Sequence, residues 1–464
     1  MFISRFSLRV ASALVLLFAL WPLVQAQTDK GGLVRPQPPR GKGVVALRAA
    51  RLIDGTAAAP IENAVLIITD DKITGVGSAD KIRIPQGTKV ADLGDATLLP
   101  GFVDAHTHLI GRVLGDPEGE TSNVKDFESF PAILGVIHAR DTLMAGFTTV
   151  RNVGARHFQD IALRKAINEG WIPGPRMQVS GHALGITGGH CDENGYRPGL
   201  LDSSVENGIA DGPDQIRAAI RYQIKYGADV VKTCATGGVL SEGDAVGATQ
   251  YNYEELKALV EEANKLERKV AAHAHGTEGI KLAVRAGVSS IEHGSFLDAE
   301  GARLMVERGT YLVPTLMAAE AVEKAARNGI LKGLRAEKAL AAAAAVRNGI
   351  RLAVTNKVQI ALGTDAGVIP HGTNAREFVL LVEWGGLTPM QAITAGTLNG
   401  ARLLGWDNNL GSLTVGKWAD VVAVQGDPLK DIHNMEKTVF VMKAGCIVKG
   451  ASVTGTPVCQ FNSK

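Results

Sequence analysis

The sequence GFVDAHTHL, residues 101–109, carries two histidines one residue apart, His106 and His108, in a largely apolar run. In a β-strand, side chains at positions i and i+2 point to the same face, so the two imidazole rings converge on one point. Two neutral imidazoles in that arrangement suit a divalent transition metal, zinc above all. The pair alone is weak evidence, because one core and one surface histidine would give the same spacing. The other candidate ligands along the chain therefore decide whether this is a metal site.

Around this stretch, the chain alternates short apolar segments with helical patterns. Eight segments are predicted as strands, at 101–106, 148–152, 176–181, 229–233, 269–273, 289–293, 311–315 and 359–365. Helical patterns lie between most of them, including 253–266, 276–286, 299–307 and 336–347. This rhythm predicts an α/β protein in which residues 101–405 form a (β/α)8 TIM barrel. A doubly wound open sheet is the alternative, disfavoured because no glycine-rich phosphate loop follows the first strand.

The segments on either side of the predicted barrel carry further strand patterns. They lie at 44–48, 64–69, 72–76 and 96–99 before the barrel, and at 419–424, 438–443 and 446–449 after it. Turn signals separate these strands. The pattern predicts a small β-sandwich assembled from residues 44–100 and 406–464. Residues 27–43, rich in glycine, proline and basic residues, are predicted to be a flexible lead-in.

The first residues have the pattern of an export signal. Arg5 and Arg9 precede an apolar run over 10–24, and small residues around Ala26 suit a cleavage site. Residues 1–26 are therefore predicted to be a signal peptide, and the mature protein to be periplasmic or secreted. The run is short for a membrane span and no other stretch approaches that length, so no span is expected after cleavage. An uncleaved anchor is the alternative.

The net charge of the mature chain excludes some classes of partner. Removing the two arginines of the signal peptide from 49 basic residues leaves 47, against 47 acidic residues. A nearly neutral chain argues against a nucleic-acid partner or a polybasic membrane surface.

Cys446 and Cys459 could pair in an oxidising compartment, although two unpaired thiols are equally plausible. Cys191 and Cys234 lie near suspected site residues, in no context that would activate a thiolate.

Polar side chains stand where the predicted strands stop, which is the end of a (β/α)8 barrel that carries the chemistry. Besides the first pair, these residues are His182, Lys232, His273, His275, His293 and Asp365. One half-buried histidine is common, but a whole set at the strand ends predicts a shared site.

Lys232 and Asp365 are the two charged members of this set. A lysine at the end of a buried strand must reach solvent or find a negative partner. Carbamylation by CO₂ would turn the Lys232 amine into a carboxylate whose two oxygens can bridge two cations, and an ordinary salt bridge is the alternative. Asp365 could ligate a metal, accept a proton from a metal-bound water, or both, with a helix cap as the alternative.

Together these motifs resemble the amidohydrolase superfamily over nearly the whole mature chain. The motifs are Pro100 to His108, Lys232, His273, Ile291-Glu292-His293-Gly294 and Gly363-Thr364-Asp365. The stretches 53–55, 411–413 and 419–422 resemble its accessory β-sandwich. The chain is most similar to the imidazolonepropionase-like branch, which contains metal-dependent Xaa-Pro dipeptidases, basic-residue carboxypeptidases and ochratoxin-hydrolysing amidases. The motifs are specific for the superfamily and much less so for the substrate.

The resemblance implies a site for two divalent metal ions, expected to be Zn²⁺. It assigns His106, His108 and Asp365 to the more buried ion and His273 and His293 to the more exposed one, with carbamylated Lys232 and a hydroxide as bridges. Two cations lower the pKa of the shared water, so that hydroxide exists near neutral pH and can attack an amide carbonyl. Asp365 is expected to take the proton and to deliver it to the leaving nitrogen.

The fifth strand offers a choice of ligand, because His273 and His275 face the same side. His275 and Glu278 also have the His-x-x-Glu spacing of the superfamily's mononuclear deaminases, in which the glutamate handles protons. Lys232 argues against that alternative, since those deaminases need no bridging lysine.

If His273 is the ligand, His275 is free to contact substrate. His182 on the third strand and His190 in the following loop would then complete a set of donors for a substrate carboxylate or carbonyl oxygen. His371, after the eighth strand, is a further candidate for the rim of the pocket.

The predicted function is hydrolysis of an amide C–N bond, in a dipeptide such as Xaa-Pro or in an N-acyl amino acid. The alternatives are a mononuclear-zinc deaminase or cyclic-amide hydrolase of the same superfamily and, from another class, a non-catalytic binding protein. A binding protein would not need the full ligand set, and no ligand position is lost. Barrels of this size often associate, so a homo-oligomer is possible and the sequence leaves the oligomeric state open.

Overall fold

The computed structural model describes residues 39–450 of the chain. The predicted signal peptide, most of the predicted lead-in and Cys459 lie outside this range. The strands of the described residues are β1 (Val44–Leu52), β2 (Ile61–Thr69), β3 (Lys72–Ser78), β4 (Lys89–Asp92), β5 (Ala96–Pro100), β6 (Phe102–Thr107), β7 (Phe147–Asn152), β8 (Arg176–Val179), β9 (Val230–Cys234), β10 (Lys269–Ala274), β11 (Ser290–His293), β12 (Tyr311–Val313), β13 (Val421–Gln425), β14 (Thr438–Lys443) and β15 (Cys446–Lys449). The α-helices are α1 (Ser122–Lys125), α2 (Phe130–Met144), α3 (Gln159–Asn168), α4 (Gly212–Lys225), α5 (Tyr253–Lys265), α6 (Thr277–Ala286), α7 (Ala299–Arg308), α8 (Leu316–Arg327), α9 (Gly333–Thr355), α10 (Arg376–Glu383), α11 (Pro389–Thr394) and α12 (Gly400–Leu404).

Two parallel sheets make up the middle of the chain. β6, β7 and β8 pair in that order, and β9 to β12 form a second parallel set. The N–H of Asp229, directly before β9, donates to the carbonyl of Val179 in β8 at 2.8 Å and connects the two sets. Leu184, in the segment after β8, also pairs with β9 through its backbone. Its N–H donates to the carbonyl of Lys232 at 2.8 Å, and its carbonyl accepts from the N–H of Cys234 at 2.8 Å. The strand and helix alternation predicted from the sequence is therefore present.

The predicted eighth strand, residues 359–365, closes the hydrogen-bonded order on the other side. The N–H of Leu312 donates to the carbonyl of Gln359 at 2.8 Å, and that of Ala105 in β6 donates to Leu362 at 2.8 Å. Isolated bridges, of Ile360 with Leu312 and of Ala366 with Thr107, join residues 359–366 to both neighbours in place of a regular ladder. The backbone of this segment leaves the extended region at Asp365, where φ is 60°. Residues 359–366 therefore lie between β12 and β6 in the hydrogen-bonded order.

The two terminal segments share one sheet, as the strand patterns at both ends predict. Its order is β15-β14-β13-β5-β1-β2-β3, and β4 also pairs with β1. β13 lies antiparallel to β5, with Val421 opposite Pro100. Side chains such as Leu47, Leu66 and Phe440 form a separate apolar core on this sheet. Because only Gly101 separates the end of β5 from the start of β6, the sheet anchors the strand that carries His106.

Local sequence signals set the ends of the helices. α5 begins with a capping box, in which the side chain of Asn252 accepts from the N–H of Glu255 at 3.0 Å and the Glu255 carboxylate accepts from the N–H of Asn252 at 2.9 Å. At α7, Asp298 accepts from the N–H of Gly301 at 2.6 Å, and Gly309 ends the helix at φ 69°. Both helices lie where the sequence predicts them.

α8 and α9 go beyond the helical patterns named from the sequence. α8 was not among those patterns, and α9 begins three residues before 336 and ends eight residues after 347. The alanine-rich middle of α9 obscures the apolar periodicity by which an amphipathic helix is recognised. Gly349 interrupts the helical pattern, but a Cβ there would lie 2.9 Å from the carbonyl oxygen of Gly294, so close packing explains the glycine. In the part of the chain that the structure describes, no helix has the length and apolar character needed to cross a membrane.

Candidate metal centre

β6 brings the first two candidate ligands to Asp365. The Nε2 atoms of His106 and His108 each lie 3.4 Å from Oδ1 of Asp365. The ligand atoms of the three residues lie within 4.8 Å of one another. The backbone holds them together, since the N–H of Asp365 donates to the carbonyl of His106 at 2.8 Å. The structure therefore assembles the three residues that the resemblance assigns to the more buried ion.

A second cluster consists of His273, His275 and His293, whose ligand atoms also lie within 4.8 Å of one another. The ring of His293 is 5.0 Å from that of His106, so the two clusters adjoin. Nε2 of His273 is buried and has no hydrogen-bond partner. An unsatisfied buried nitrogen is costly, and a metal ion would satisfy it. Nδ1 of His275 instead lies 2.8 Å from Oγ of Ser295, and both histidines face the same cavity.

Hydrogen bonds behind the rings fix their orientation. Nδ1 of His106 lies 2.7 Å from the carboxylate of Glu292, which also accepts from Arg151 at 2.8 Å. Because an ionised carboxylate only accepts, Nδ1 of His106 carries the proton and Nε2 is free to bind an ion. Nδ1 of His293 lies 2.7 Å from Oγ1 of Thr315. The sequence reasoning gave Glu292 no role, although it stands within the quoted Ile-Glu-His-Gly motif.

Three residues of the site have left-handed backbone conformations. The φ angles are 71° at His293, 60° at Asp365 and 48° at Thr315. Such conformations cost free energy in residues other than glycine and concentrate at functional sites. Glu292 pairs with His273 across the sheet. His293 is the residue after Glu292, and its left-handed backbone conformation lets its ring reach the same site as His273.

A buried network around Asp104 joins the two strands that carry the first cluster. One oxygen of Asp104 accepts from Oγ1 of Thr364 at 2.6 Å and from Nδ2 of Asn374 at 2.8 Å. The other accepts from the N–H of His106 at 3.1 Å. Since Thr364 directly precedes Asp365, the network fixes the aspartate relative to the histidine.

Lys232 lies on β9 and is only 4% exposed. It lines the cavity that both clusters face. Within residues 39–450, its Nζ forms no ion pair with a carboxylate. Burial lowers the pKa of Lys232 to about 8, against the opposing charges of Glu292 and Asp365. An ammonium that is buried without a direct ion pair favours loss of its proton.

The electrostatics of the site set the protonation states of its residues. Burial lowers the pKa of His108 to about 4 and that of His275 to about 3. Burial acts to raise the pKa of Asp365, but His106, His108 and His293 together outweigh it and the net shift is downward. Neutral imidazoles and an ionised carboxylate are the forms that bind metal ions.

Both clusters and Lys232 face a cavity of about 360 Å³. A disulfide between Cys191 and Cys234 lies on its wall. The ring of His190 stacks on that of His273, with centroids 4.1 Å apart, and its Nδ1 lies 2.8 Å from Oγ of Ser241. The disulfide therefore ties the loop that carries His190 to the end of β9, and the structure places His190 beside the candidate ligands.

Sequence reasoning missed this disulfide. Its cysteines are 43 residues apart, and neither has neighbours that mark a pair. Only the position of Cys234 at a strand end, two residues after Lys232, could have drawn attention to it. The predicted pairing of Cys446 and Cys459 stays a prediction, because Cys459 lies outside the described residues.

The structure does not bring His182 into the metal cavity. Its Nε2 accepts from the N–H of His157 at 3.1 Å, and its Nδ1 lies 3.2 Å from Oε1 of Gln223. It lines a neighbouring cavity of about 600 Å³. β8 ends at Val179 and the chain turns at Gly181, with φ 65°, which directs His182 away from the ligands.

Two other candidates also lie apart from the metal cavity. Glu278 is 68% exposed and forms an ion pair with Lys281 at 2.6 Å, so the deaminase alternative lacks its proton-handling group in this arrangement. His371 stacks on His138 with ring centroids 4.1 Å apart and lines neither of the two cavities.

The assembled site can be compared with known proteins. A profile of the Amidohydrolase family matches residues 97–456. The chain belongs to this family. The resemblance drawn from the strand-end motifs is thereby confirmed, and the protein is a hydrolase acting on C–N bonds.

Individual relatives cover nearly the whole chain. Ochratoxinase from Aspergillus niger is 36% identical over 457 residues, spanning 93% of this chain and 90% of the relative. Imidazolonepropionase from Deinococcus radiodurans is 26% identical over 412 residues, spanning 86% of this chain and 92% of the relative. The crystal structure of a Xaa-Pro dipeptidase with methionine in its active site has a TM-score of 0.84 and 38% identity, and it covers 88% of this chain and 100% of that chain. These similarities place the fold within the TIM-barrel superfamily.

Proposed function

We propose that the protein is a secreted, binuclear, metal-dependent amidohydrolase that cleaves the amide bond of a dipeptide or an N-acyl amino acid. The observation that carries the proposal is the meeting of two ligand clusters and a buried lysine in one cavity. The buried, unpartnered Nε2 of His273 supports a bound cation at the second cluster. The relatives support the substrate class, because one is named for a Xaa-Pro dipeptide and another for ochratoxin.

Six residues would hold two divalent ions, expected to be Zn²⁺: His106, His108, Lys232, His273, His293 and Asp365. When bound, such ions lower the pKa of water and polarise an amide carbonyl. Asp365, ionised because its pKa is lowered, would accept the proton of the attacking water and deliver it to the leaving nitrogen. His190 and His275 face the cavity with one ring nitrogen each held by a serine, which leaves the other for substrate.

Lys232 would bridge the two ions as a carbamate. Its neutral Nζ would attack the carbon of CO₂, forming an N–C bond as one C=O π bond opens, and the nitrogen would pass a proton to water to leave a carboxylate with two oxygens. The lowered pKa of Lys232 and the absence of an ion pair within residues 39–450 both support this step.

The finer organisation of the chain also belongs to the proposal. Residues 101–405 would form a closed (β/α)8 barrel, and the terminal sheet of residues 44–100 and 406–464 would fold as a β-sandwich. The hydrogen-bonded return from β12 to β6 through residues 359–366 supports closure. Export through residues 1–26 would place the enzyme in the periplasm or outside the cell.

Metal analysis of wild type and Lys232→Ala tests the function. We expect about two zinc ions per wild-type chain and loss of the bridged pair, with loss of amidase activity, in Lys232→Ala. Lys257→Ala, on the exposed face of α5, is the matched control and should behave as wild type. One ion would favour a mononuclear enzyme and none a binding protein. Retention of both ions and full activity in Lys232→Ala would make the binuclear mechanism wrong.

A further inference from the structure

We infer that the wall of the cavity facing the histidines is a subsite for a large apolar group of the substrate, an aromatic or branched aliphatic side chain next to the scissile amide. The inference rests on the proposed function and specifies its substrate class. It comes from the chemistry of the cavity's second wall, which none of the candidate ligands occupies.

Two helices supply most of this wall. α8 contributes Ala318, Ala319 and Val322, and α9 contributes Ala342 and Val346. All five side chains are apolar, and three of them are single methyl groups. Such a surface offers no hydrogen-bond partner to a polar substituent. Covering it with an apolar substituent removes apolar surface from water, which is favourable.

Loops from other parts of the chain complete the wall with Val239, Leu240 and Val368. The side chains of Val239 and Val322 belong to one apolar cluster, against which Leu240 and Val368 pack. The wall is therefore continuous with a packed core and not a set of isolated exposed residues.

The space is large enough for such a group. The cavity has a volume of about 360 Å³, while an apolar cavity of roughly 150 Å³ accepts benzene. A phenyl or isobutyl group can therefore lie against the alanines while the amide lies at the histidines. Larger residues in place of Ala318, Ala319 and Ala342 would remove this room.

Charged substituents have no partner on this wall. Two charged residues that line the cavity, Lys232 and Asp365, are among the candidate metal ligands. Arg112 reaches the rim, but Asp126 and Asp116 already engage its guanidinium at 2.9 and 3.1 Å. Burying an unpaired charge against the apolar wall would be strongly unfavourable, so the subsite rejects acidic and basic side chains.

The wall is fixed relative to the histidines. Thr315, which precedes α8, lies 2.7 Å from Nδ1 of His293 through its hydroxyl. The next two N–H groups, of Leu316 and Met317, each donate to the carboxylate of Glu377 at 2.8 Å. A group bound on α8 is therefore held in a set position relative to the second ligand cluster.

Two substrate series test the subsite on the zinc-loaded protein. The varied residue stands on the acyl side of the amide in one series and on the amine side in the other, as glycine, leucine, phenylalanine, aspartate or lysine. We expect one series in which kcat/KM for leucine or phenylalanine exceeds that for glycine, aspartate and lysine by at least about tenfold. Cleavage with no apolar preference in either series overturns the subsite and leaves the proposed function intact.

A binding measurement tests the subsite independently of catalysis. N-acetyl-L-leucine should bind at least about tenfold more tightly than N-acetyl-L-aspartate or N-acetyl-L-lysine in calorimetric titrations, with and without zinc. If no amide of either series is cleaved, the proposed function fails, and this titration alone decides the subsite. Equal affinities for the three probes overturn it.

A large side chain placed on the apolar wall should remove the preference for substrates with large apolar side chains. Ala319→Trp is expected to lower kcat/KM for the phenylalanine substrate at least about tenfold and to affect the glycine substrate much less. Ala344→Trp makes the same change on the exposed face of α9 and should leave both values unchanged. Val322→Thr, a milder change that keeps the shape, should weaken binding of N-acetyl-L-leucine. An unaltered ratio of kcat/KM for the phenylalanine and glycine substrates in Ala319→Trp, together with unaltered affinity for N-acetyl-L-leucine in Val322→Thr, contradicts the inference.

Discussion

Glu292 lies 2.7 Å from Nδ1 of His106 and also contacts Arg151, and all three side chains are buried. Burial alone would raise the pKa of Glu292, but the charge of Arg151 and the bond to His106 lower it to about 2. The carboxylate is therefore ionised at neutral pH and fixes the tautomer of the histidine. Orientation of a ligating histidine by such a partner commonly contributes to metal affinity.

Glu292→Gln should weaken metal binding while the fold remains intact. The amide can present its NH₂ group to Nδ1 and so favour the wrong tautomer of His106. We expect zinc affinity to fall roughly 10- to 100-fold, measured by competition with a chelator. Glu261→Gln, on the exposed face of α5, is the control and should keep wild-type affinity. Equal affinities in the two variants would show that Glu292 does not orient the ligand.

The strand-end residues could be predicted because local patterns locate the ends of parallel strands, and topology then brings those ends together. His106, Lys232 and His293 were found in this way. Glu292 was not assigned a role because its partner His106 is 186 residues away in the chain. His182 also follows a strand, but a turn after that strand directs it to the neighbouring cavity.

In the fold, too, features set by local sequence could be predicted, and features set by contacts between distant residues could not. Periodicity predicted α5 and α7, whose ends carry their own capping residues. It did not predict α8, whose first turn is held by Glu377 from a distant part of the chain. Residues 359–365 were predicted as a strand and do pair on both sides, but the left-handed conformation at Asp365 follows from tertiary contacts. Contacts between distant residues leave no periodic trace in a sequence.

Loss of the Cys191–Cys234 disulfide should release the loop that carries His190. Cys191→Ser is expected to lower stability by about 2–4 kcal/mol, seen as a lower Tm, and to raise KM more than it lowers kcat. Cys234→Ser should give the same changes, and the double variant should add nothing. A reductant should lower the Tm of wild type more than that of either variant. Additive effects of the two substitutions would argue against the pair.

Gly238 offers an independent check on the position of His190. A Cβ at Gly238 would lie 2.6 Å from Nε2 of His190, which is too close for both to keep their places. Gly238→Ala should therefore displace the ring and raise KM with the disulfide intact. An unchanged KM would mean that His190 does not contact substrate.

Stability should fall at alkaline pH because of Glu377. Burial raises the pKa of Glu377 from 4.5 to about 8, against the hydrogen bonds from Leu316 and Met317, and the nearby Asp104 and Glu320 raise it further. The folded chain then binds more protons than the unfolded chain between these values. The contribution is full below about pH 4.5 and is lost as the pH rises through about 8.

Glu377→Gln should remove this pH dependence. Wild type is expected to lose on the order of 3 kcal/mol of stability between pH 5 and pH 9 from this group, measured as Tm, and the glutamine variant to lose much less. Glu337→Gln, an exposed change on α9, should follow wild type. Parallel pH profiles for wild type and Glu377→Gln would place the pKa of Glu377 in its ordinary range.

Gly363 tests how closely the segment 359–365 must approach β6. A Cβ at this position would lie 2.8 Å from Cβ of His106 and would also overlap Val313. Gly363→Ala must therefore move the segment apart from His106 and Val313, and overpacking of this kind costs roughly 1–3 kcal/mol. We expect a lower Tm and weaker zinc binding together. Gly119→Ala is the matched control, because the nearest atom to its added Cβ is 3.8 Å away. A Gly363→Ala variant with the Tm and zinc affinity of the control would contradict the close contact between the segment and β6.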